Sequence, residues 1–331
     1  MSIADDLRSL AALAGRTVLD AQPLRTESRN ALWRVTLDGQ ERAVLKVYDP
    51  ANDPHAANRF RREEKVLTLL GAVRPAVAPK LIAGFISPLA PPMLLMEDAG
   101  DRSLAEPLCQ SPFNESAAIW AKSIDFLYRL HSEMERLRQP LYRTAMAISL
   151  DRITGQALVS RFRIAGQRLV GKEPPAGVLR EFRALMAPVL GAPKAMIHNS
   201  MSPLNIVPGP SGWRAVDWET IAYASPLWDW ADLLRSPYNP LPFGDCEAIA
   251  VRITGSGAGI FHRAVLSRCL DGLATVTMRF RRFSEEGHAE RATEYVRRAA
   301  CYAGDVRYTA DRLGVSGALA NWLEILTRGE V

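Results

Sequence analysis

Cysteine is scarce. The 331 residues hold four, Cys109, Cys246, Cys269 and Cys301, none in a C-x-x-C pair, and only five histidines accompany them. That argues against a zinc-type cluster and against a disulfide-held scaffold; isolated thiols of this kind are mostly inert. Long apolar runs are absent as well. No stretch reaches the roughly 18 uninterrupted apolar residues of a membrane span, and no membrane partner is expected. The opening Met1-Ser2-Ile3-Ala4-Asp5-Asp6 lacks a basic stretch followed by an apolar core, so no signal peptide is expected and a cytoplasmic location is the default. Charge of one sign is not in large excess either: 41 Lys and Arg stand against 36 Asp and Glu, a net +5. Spread over this length, that bias does not imply a nucleic-acid partner. Repeats and low-complexity tracts are also missing.

What is present is ordinary globular composition, 48% hydrophobic and 23% charged, in a chain long enough for about two domains. The two halves follow different patterns. Residues 3–14 suit a short amphipathic helix. Leu32 to Leu37 alternates, Asp38-Gly39 is a hairpin signal, and Ala43 to Tyr48 resumes as a strand. Residues 56–71 return to helical spacing on Phe60, Val66, Leu67 and Leu70, with Gly71 as C-cap, and 81–85 and 93–96 read as strands. After Gly100 strands nearly vanish. Helical periodicity fills 114–134, 150–169, 176–189, 257–272, 288–312 and 315–328, and one short hairpin is expected at 206–207 and 214–216. The glycine-rich Thr254 to Gly259 lacks the strand-to-helix context of a dinucleotide loop and reads as a helix–helix turn.

Residues 198–231 carry the most chemistry. His198-Asn199-Ser200-Met201-Ser202-Pro203-Leu204-Asn205 leads into the hairpin, and Val216-Asp217-Trp218-Glu219 follows it. An amide oxygen at Asn205 and a carboxylate at Asp217, at the two ends of a short hairpin, can converge on one magnesium ion. Mg²⁺ takes hard oxygens from one or two side chains and fills its shell from phosphates and water. Ser200 and Ser202 stand in no recognisable nucleophile motif.

At these residues the chain resembles the aminoglycoside phosphotransferase and choline kinase-like family, which shares its fold with protein kinases. The family's catalytic loop runs H-G-D-x-x-x-x-N and is followed by I-D-W-E; His198 to Asn205 and Val216 to Glu219 are similar to these. Pro226 and Asp229 fit the later D-P-x-x-D-L-A segment, with Ser225 at its first position, and His131 fits the L-x-x-L-H end of the long helix. The resemblance implies an α+β, two-lobed, protein-kinase-like fold: a small β-rich N-terminal lobe over 1–97 and a large helical C-terminal lobe over 98–331, with a substrate cap at about 136–190. It implies ATP (or GTP) and Mg²⁺ as cofactors, and phosphoryl transfer to a hydroxyl group of a small-molecule substrate. Lys46 would meet nucleotide phosphates, held by Glu63 (Glu64 is the neighbouring alternative), and Thr26 to Ala31 would cover the phosphates without a glycine. Met96-Glu97-Asp98 would be the linker between lobes, with backbone groups facing adenine. Asn205 and Asp217 would bind the metal.

One departure stands out. Ser200 occupies the position of the family's catalytic aspartate, and Asn199 that of its glycine. A serine hydroxyl is poorly suited to take a proton from an alcohol near neutrality, and losing a positioned base typically costs about 10²–10⁴ in rate. Transfer can persist, because phosphoryl transfer depends mainly on positioning and charge neutralisation. A slow kinase and a nucleotide-binding pseudokinase or scaffold both remain open, as does a replaced aspartate. Taken alone, Lys46 and Glu63 read as solvated surface charges, while His198, Asp229 and the tryptophans 218, 228 and 230 read as structural. Segment 136–183 holds ten Lys and Arg against Asp151, Glu173 and Glu181. Such a cap would repel a polycationic aminoglycoside, so a neutral or anionic acceptor is expected, unless the arginines are a solvated helix face.

Overall fold

A computed structural model describes residues 15–25, 30–51, 53–87, 90–110, 113–147, 153–209, 212–239 and 241–328. The helix expected at 3–14 and most of the Thr26–Ala31 loop lie outside them. The chain divides into two compact units, one of Met1–Pro112, Ala118–Asp151 and His198–Ala222, the other of Phe113–Ala117, Arg152–Ile197 and Tyr223–Val331.

The first unit is built on a five-stranded antiparallel sheet. Its strands are β1 (Val18–Arg25), β2 (Asn30–Leu37), β3 (Arg42–Tyr48), β4 (Leu81–Ser87) and β5 (Ala90–Glu97), in the order β1-β2-β3-β5-β4. Period-2 alternation decides the faces. Val35, Leu37, Ala43, Leu45, Val47, Met93 and Leu95 form one buried cluster. Lys46 and Tyr48, of opposite parity in β3, share the other face, where the Tyr48 ring meets Phe60 edge-on at 5.8 Å. Phe60 belongs to helix α1 (Ala56–Leu70), whose Val66, Leu67 and Leu70 are also buried. The Asp38-Gly39 turn closes β2 onto β3 as expected, with Gly39 and Gln40 at positive φ.

Strand β1 has no counterpart in the sequence reading. It is an edge strand with register shifts on both sides of its paired run and a proline inside, so its alternation is broken. Helices α2 (Ala105–Gln110), α3 (Phe113–Arg136) and α4 (Arg138–Ala147) follow, and α3 lies in the first unit from Ala118 onward.

The second unit is helical: α5 (Gly155–Val170), α6 (Ala176–Gly191), α7 (Leu227–Leu234), α8 (Phe243–Thr254), α9 (Ala258–Glu285), α10 (Ala289–Arg312) and α11 (Gly317–Arg328). Short strands β6 (Ala195–Ile197) and β9 (Ala222–Ala224) pair, while β7 (Ile206–Gly209) and β8 (Gly212–Ala215), which belong to the first unit, form the expected hairpin. Phe162 of α5 stacks on Phe182 of α6 at 4.1 Å. Helices α9 and α10 approach closely enough that a Cβ on Gly272 would fall 2.6 Å from the Tyr302 ring. Helix α7 has no counterpart in the sequence-based expectations: at eight residues it spans barely two turns, too short a window for a period to stand out, although Asp229 and Asp232 do lie three apart on one side. Gly255 caps α8 in the left-handed region, so the Thr254 to Gly259 stretch is a helix–helix turn.

Candidate active site

Helix α1 places Glu63 on its apolar stripe, three residues after Phe60 and four before Leu67, and the carboxylate is 1% exposed. Glu64 points elsewhere, with its carboxylate against Gly84 of β4. Strand β3 brings Lys46 to the same place. Its ammonium lies 2.6 Å from Glu63 Oε2, 2.5 Å from Asp217 Oδ1 and 3.2 Å from Glu219 Oε2. Tyr48, two residues along the strand, donates its hydroxyl to Glu63 Oε2 at 2.5 Å. The backbone N–H of Trp218 donates to the other Glu63 oxygen at 3.2 Å. Three sequence-distant segments, β3, α1 and residues 217–219, thus meet around one cation, all within the first unit.

Burial alone would lower the Lys46 pKa, but Asp217, Glu63 and Glu219 together raise it above the ordinary lysine value. The ammonium therefore stays charged at neutral pH. Burial raises Glu63; Lys46 opposes the shift, and the Asp217 and Glu219 charges add to it. Burial and the Glu63 carboxylate also push the Tyr48 phenol up, so it remains a donor. The carboxylates of Glu63, Asp217 and Glu219 lie close enough to share a cation. Lys46 already supplies one within 3.2 Å of each.

Glu219 closes the Val216-Asp217-Trp218-Glu219 motif, whose spacing alone assigns it no role. It is buried and densely bonded. Asn30 Nδ2 donates to Oε2 at 2.7 Å, Arg59 to Oε1 at 3.1 Å, and Arg62 to its carbonyl at 2.7 Å. Arg59 also pairs with Asp53 at 2.7 Å. One signal for Arg62 was present in the sequence: it stands four residues before Val66 on the α1 stripe, as Glu63 does before Leu67.

The loop from His198 to Asn205 is organised by local hydrogen bonds. His198 is fully buried, its Nε2 lies 2.9 Å from the Val216 carbonyl, and its ring packs against Trp218 at 4.5 Å. Asn199 has φ of 66°, a left-handed conformation that glycine and asparagine tolerate best. That accounts for an asparagine in the family's glycine position. Its side chain donates to the Thr220 carbonyl at 3.0 Å. Asn205 donates through Nδ2 to the Ser200 carbonyl at 2.8 Å and to Ser200 Oγ at 3.2 Å. Its Oδ1 is thereby the atom left to accept a bond or a metal. The Val216 N–H donates to the Asn205 carbonyl at 2.9 Å, which sets the two hairpin ends side by side.

Asp217 is also left-handed, with φ of 69°, and its side chain is 39% exposed. An amide oxygen and a half-exposed carboxylate are hard donors and fit a magnesium ion. Glu97 lies apart from this cluster. Its N–H donates to the Lys80 carbonyl at 2.9 Å, and its carboxylate pairs with Arg214 at 3.1 Å. The next residue, Asp98, is clamped by Arg34 at 2.8 Å and Arg42 at 2.9 Å. In the second unit Asp229 and the tryptophans 228 and 230 are buried.

Comparison with known proteins fixes the class. The model of the phosphotransferase enzyme family matches residues 20–264, and the chain belongs to that family. No curated protein matches significantly. Among solved structures, the chain is similar to a choline/ethanolamine kinase family protein from Mesorhizobium loti, at 19% identity and a TM-score of 0.52 over 99% of this chain and 100% of that one. It is also similar to an aminoglycoside phosphotransferase in complex with GDP and kanamycin, at 14% identity and a TM-score of 0.56 over 87% and 93%. A third is an aminoglycoside phosphotransferase in a ternary complex with ADP and hygromycin B, at 12% identity and a TM-score of 0.52 over 96% and 100%. The kinase-like fold expected from the sequence is the fold of this chain. No helix among the described residues is long and apolar enough to cross a membrane.

Proposed function

We propose that the chain transfers the terminal phosphoryl group of ATP or GTP, with magnesium, to a hydroxyl of a neutral or anionic small molecule in the cytoplasm. The observation that carries this reading is the Lys46 ammonium, buried 2.6 Å from Glu63 and 2.5 Å from Asp217. A cation fixed there by a helix carboxylate is suited to neutralise phosphate charge beside a metal ligand. In this reading Lys46 receives the phosphates and Glu63 positions it. Asn205 and Asp217 hold the magnesium, which when bound neutralises charge on the transferring group. The backbone of Met96, Glu97 and Asp98 faces the base. Residues 1–97 act as the nucleotide-binding lobe, and 98–331 as the acceptor-binding lobe with its cap at about 136–190.

The cap's positive charge supports an acceptor that is not a polycation, though part of that charge is spent locally. Arg136 pairs with Glu133 at 2.8 Å, Arg138 with Glu135 at 3.4 Å, and Arg161 with Asp271 at 3.4 Å. Ser200 favours slow turnover, and it equally favours a second reading: a pseudokinase or scaffold that binds nucleotide without turnover.

Calorimetry with ATP and with GTP, with and without Mg²⁺, tests the common core. Magnesium-dependent binding that weakens at least tenfold in Asp217→Ala is expected; no binding of either nucleotide would overturn both readings. Turnover on a panel of hydroxyl compounds then separates them. Ser200→Asp raises the rate by about 10²–10⁴ if only the base is missing. No turnover in either protein leaves the pseudokinase.

A further inference from the structure

A cavity of about 630 Å³ opens in the first unit, and no residue of the Lys46 cluster lines it. Its size falls within the roughly 300–1,000 Å³ of small-molecule sites. Its charged lining is Arg16, Arg74, Lys80 and Arg214, with Glu41 and Glu97. Both carboxylates are already committed: Glu41 accepts from Arg16 at 2.7 Å, and Glu97 from Arg214 at 3.1 Å. Among the described residues no salt bridge joins the Arg74 or Lys80 side chain to a carboxylate, while Arg16 is held by Asp38 at 2.5 Å as well as by Glu41, so a modest positive excess faces the cavity. Arg74 is nonetheless held in place, because its Nη1 donates to the carbonyls of Gly71 at 2.9 Å and Val73 at 2.8 Å. Leu81 and Ile82 add an apolar wall.

The cavity also touches the frame of the candidate active site. Glu97 ends β5. Arg214, itself buried, stands on β8 three residues before Asp217. The Ala215 N–H donates to the Val77 carbonyl at 2.8 Å, tying β8 to the 74–82 segment that forms the cavity wall. An anion that drew Arg214 away from Glu97 would therefore act on the end of β5 and on the strand leading to Asp217.

The geometry points to a binding site for a small organic phosphate in this cavity, coupled to the Lys46 site. Guanidinium groups match a phosphate in fork geometry and a lysine neutralises it as a point charge, while the apolar wall takes the carbon skeleton. Only the coupling rests on the nucleotide reading; the binding itself does not.

Calorimetry of the full chain with glucose-6-phosphate, phosphoenolpyruvate and inorganic phosphate tests the site. One of the two esters is expected to bind saturably, at least tenfold tighter than inorganic phosphate. The exposed pair Arg74→Ala with Lys80→Ala should weaken that binding at least tenfold while leaving the circular dichroism unchanged. Asp217→Ala should retain it, excess ATP should not displace it, and saturation with the ester should shift ATP affinity at least threefold. No saturable binding, equal affinity for inorganic phosphate, binding indifferent to the double variant, or displacement by ATP would each overturn the site. An unshifted ATP affinity would overturn the coupling. If the chain binds no nucleotide at all, the ester arms still decide the site.

Discussion

In the helical unit, Arg235 meets Asp305 through two parallel hydrogen bonds of 2.9 and 2.7 Å, one guanidinium for one carboxylate. In the sheet unit, Lys46 faces three carboxylates at once. The first arrangement is balanced: Asp305 more than recovers what burial takes from Arg235, raising its pKa, and the guanidinium also lies over the Phe243 ring at 4.6 Å. The second carries surplus negative charge, a buried carboxyl pushed toward its neutral form, and an aspartate in a left-handed conformation. A buried ion pair is at best a modest stabiliser, and an unbalanced one is worse. The Lys46 cluster is therefore a poor device for holding a fold together, which is in keeping with the phosphate- and metal-binding role proposed for it.

The largest effect that tests this contrast is on the balanced pair. Arg235→Ala leaves Asp305 buried without its partner and should cost about 3–5 kcal/mol in urea denaturation. Nucleotide affinity should not change. A cost under about 1 kcal/mol would mean the pair is no more structural than a surface bridge.

A second test uses a local imbalance inside the helical unit. Asp232 pairs with Arg268 at 3.3 Å. Burial, opposed by Arg268 and reinforced by Asp229 and Asp271, pushes its pKa from 3.8 up to about 6. The folded state therefore holds this proton more tightly than the unfolded chain does. The stability gained is complete below about pH 4 and is lost as pH rises to about 6, by up to about 3 kcal/mol. Asp232→Asn should flatten that slope in denaturant titrations between pH 4 and 7. Identical slopes in the two proteins would show that the carboxyl titrates normally.

Much of this was legible in the residues, for identifiable reasons. The hairpin strands β2 and β3, helix α1 and the long C-terminal helices carry clean periods, and they appear where the sequence puts them. Helix α9 runs to Glu285 rather than ending near 272, because Thr275 to Phe283 continue the helix without a breaker. Strand β1 and helix α7 are not legible, because the alternation of β1 is broken and α7 spans barely two turns. At the site, Lys46 and Asp217 were visible through motif spacing, and Glu63 could have been separated from Glu64 by its place on the apolar stripe. Glu219, Asn30 and Arg59 were not visible in that way. Their roles arise from contacts across 160 or more positions, such as Asn30 to Glu219 and Arg59 to Glu219, which no local pattern encodes.

The smallest expected effect on stability is the sharpest on function. Asp217→Asn keeps a residue that tolerates the left-handed backbone at φ of 69°, and it removes one of the three carboxylates competing for Lys46. The backbone term is near zero and the electrostatic term relieves crowding, so folding stability should stay within about 0.5 kcal/mol or rise slightly. Asp217→Ala loses the same charge but adds a backbone penalty of about 1–2 kcal/mol, because alanine disfavours positive φ. Magnesium-dependent nucleotide binding should fall at least tenfold in both. The two variants thus separate what the aspartate does for the chain from what its charge does for a ligand. If Asp217→Asn instead lost more than about 2 kcal/mol of stability and kept its nucleotide affinity, the Lys46 cluster would be a structural device like Arg235 and Asp305. Its surplus charge would then need an explanation other than a bound cation.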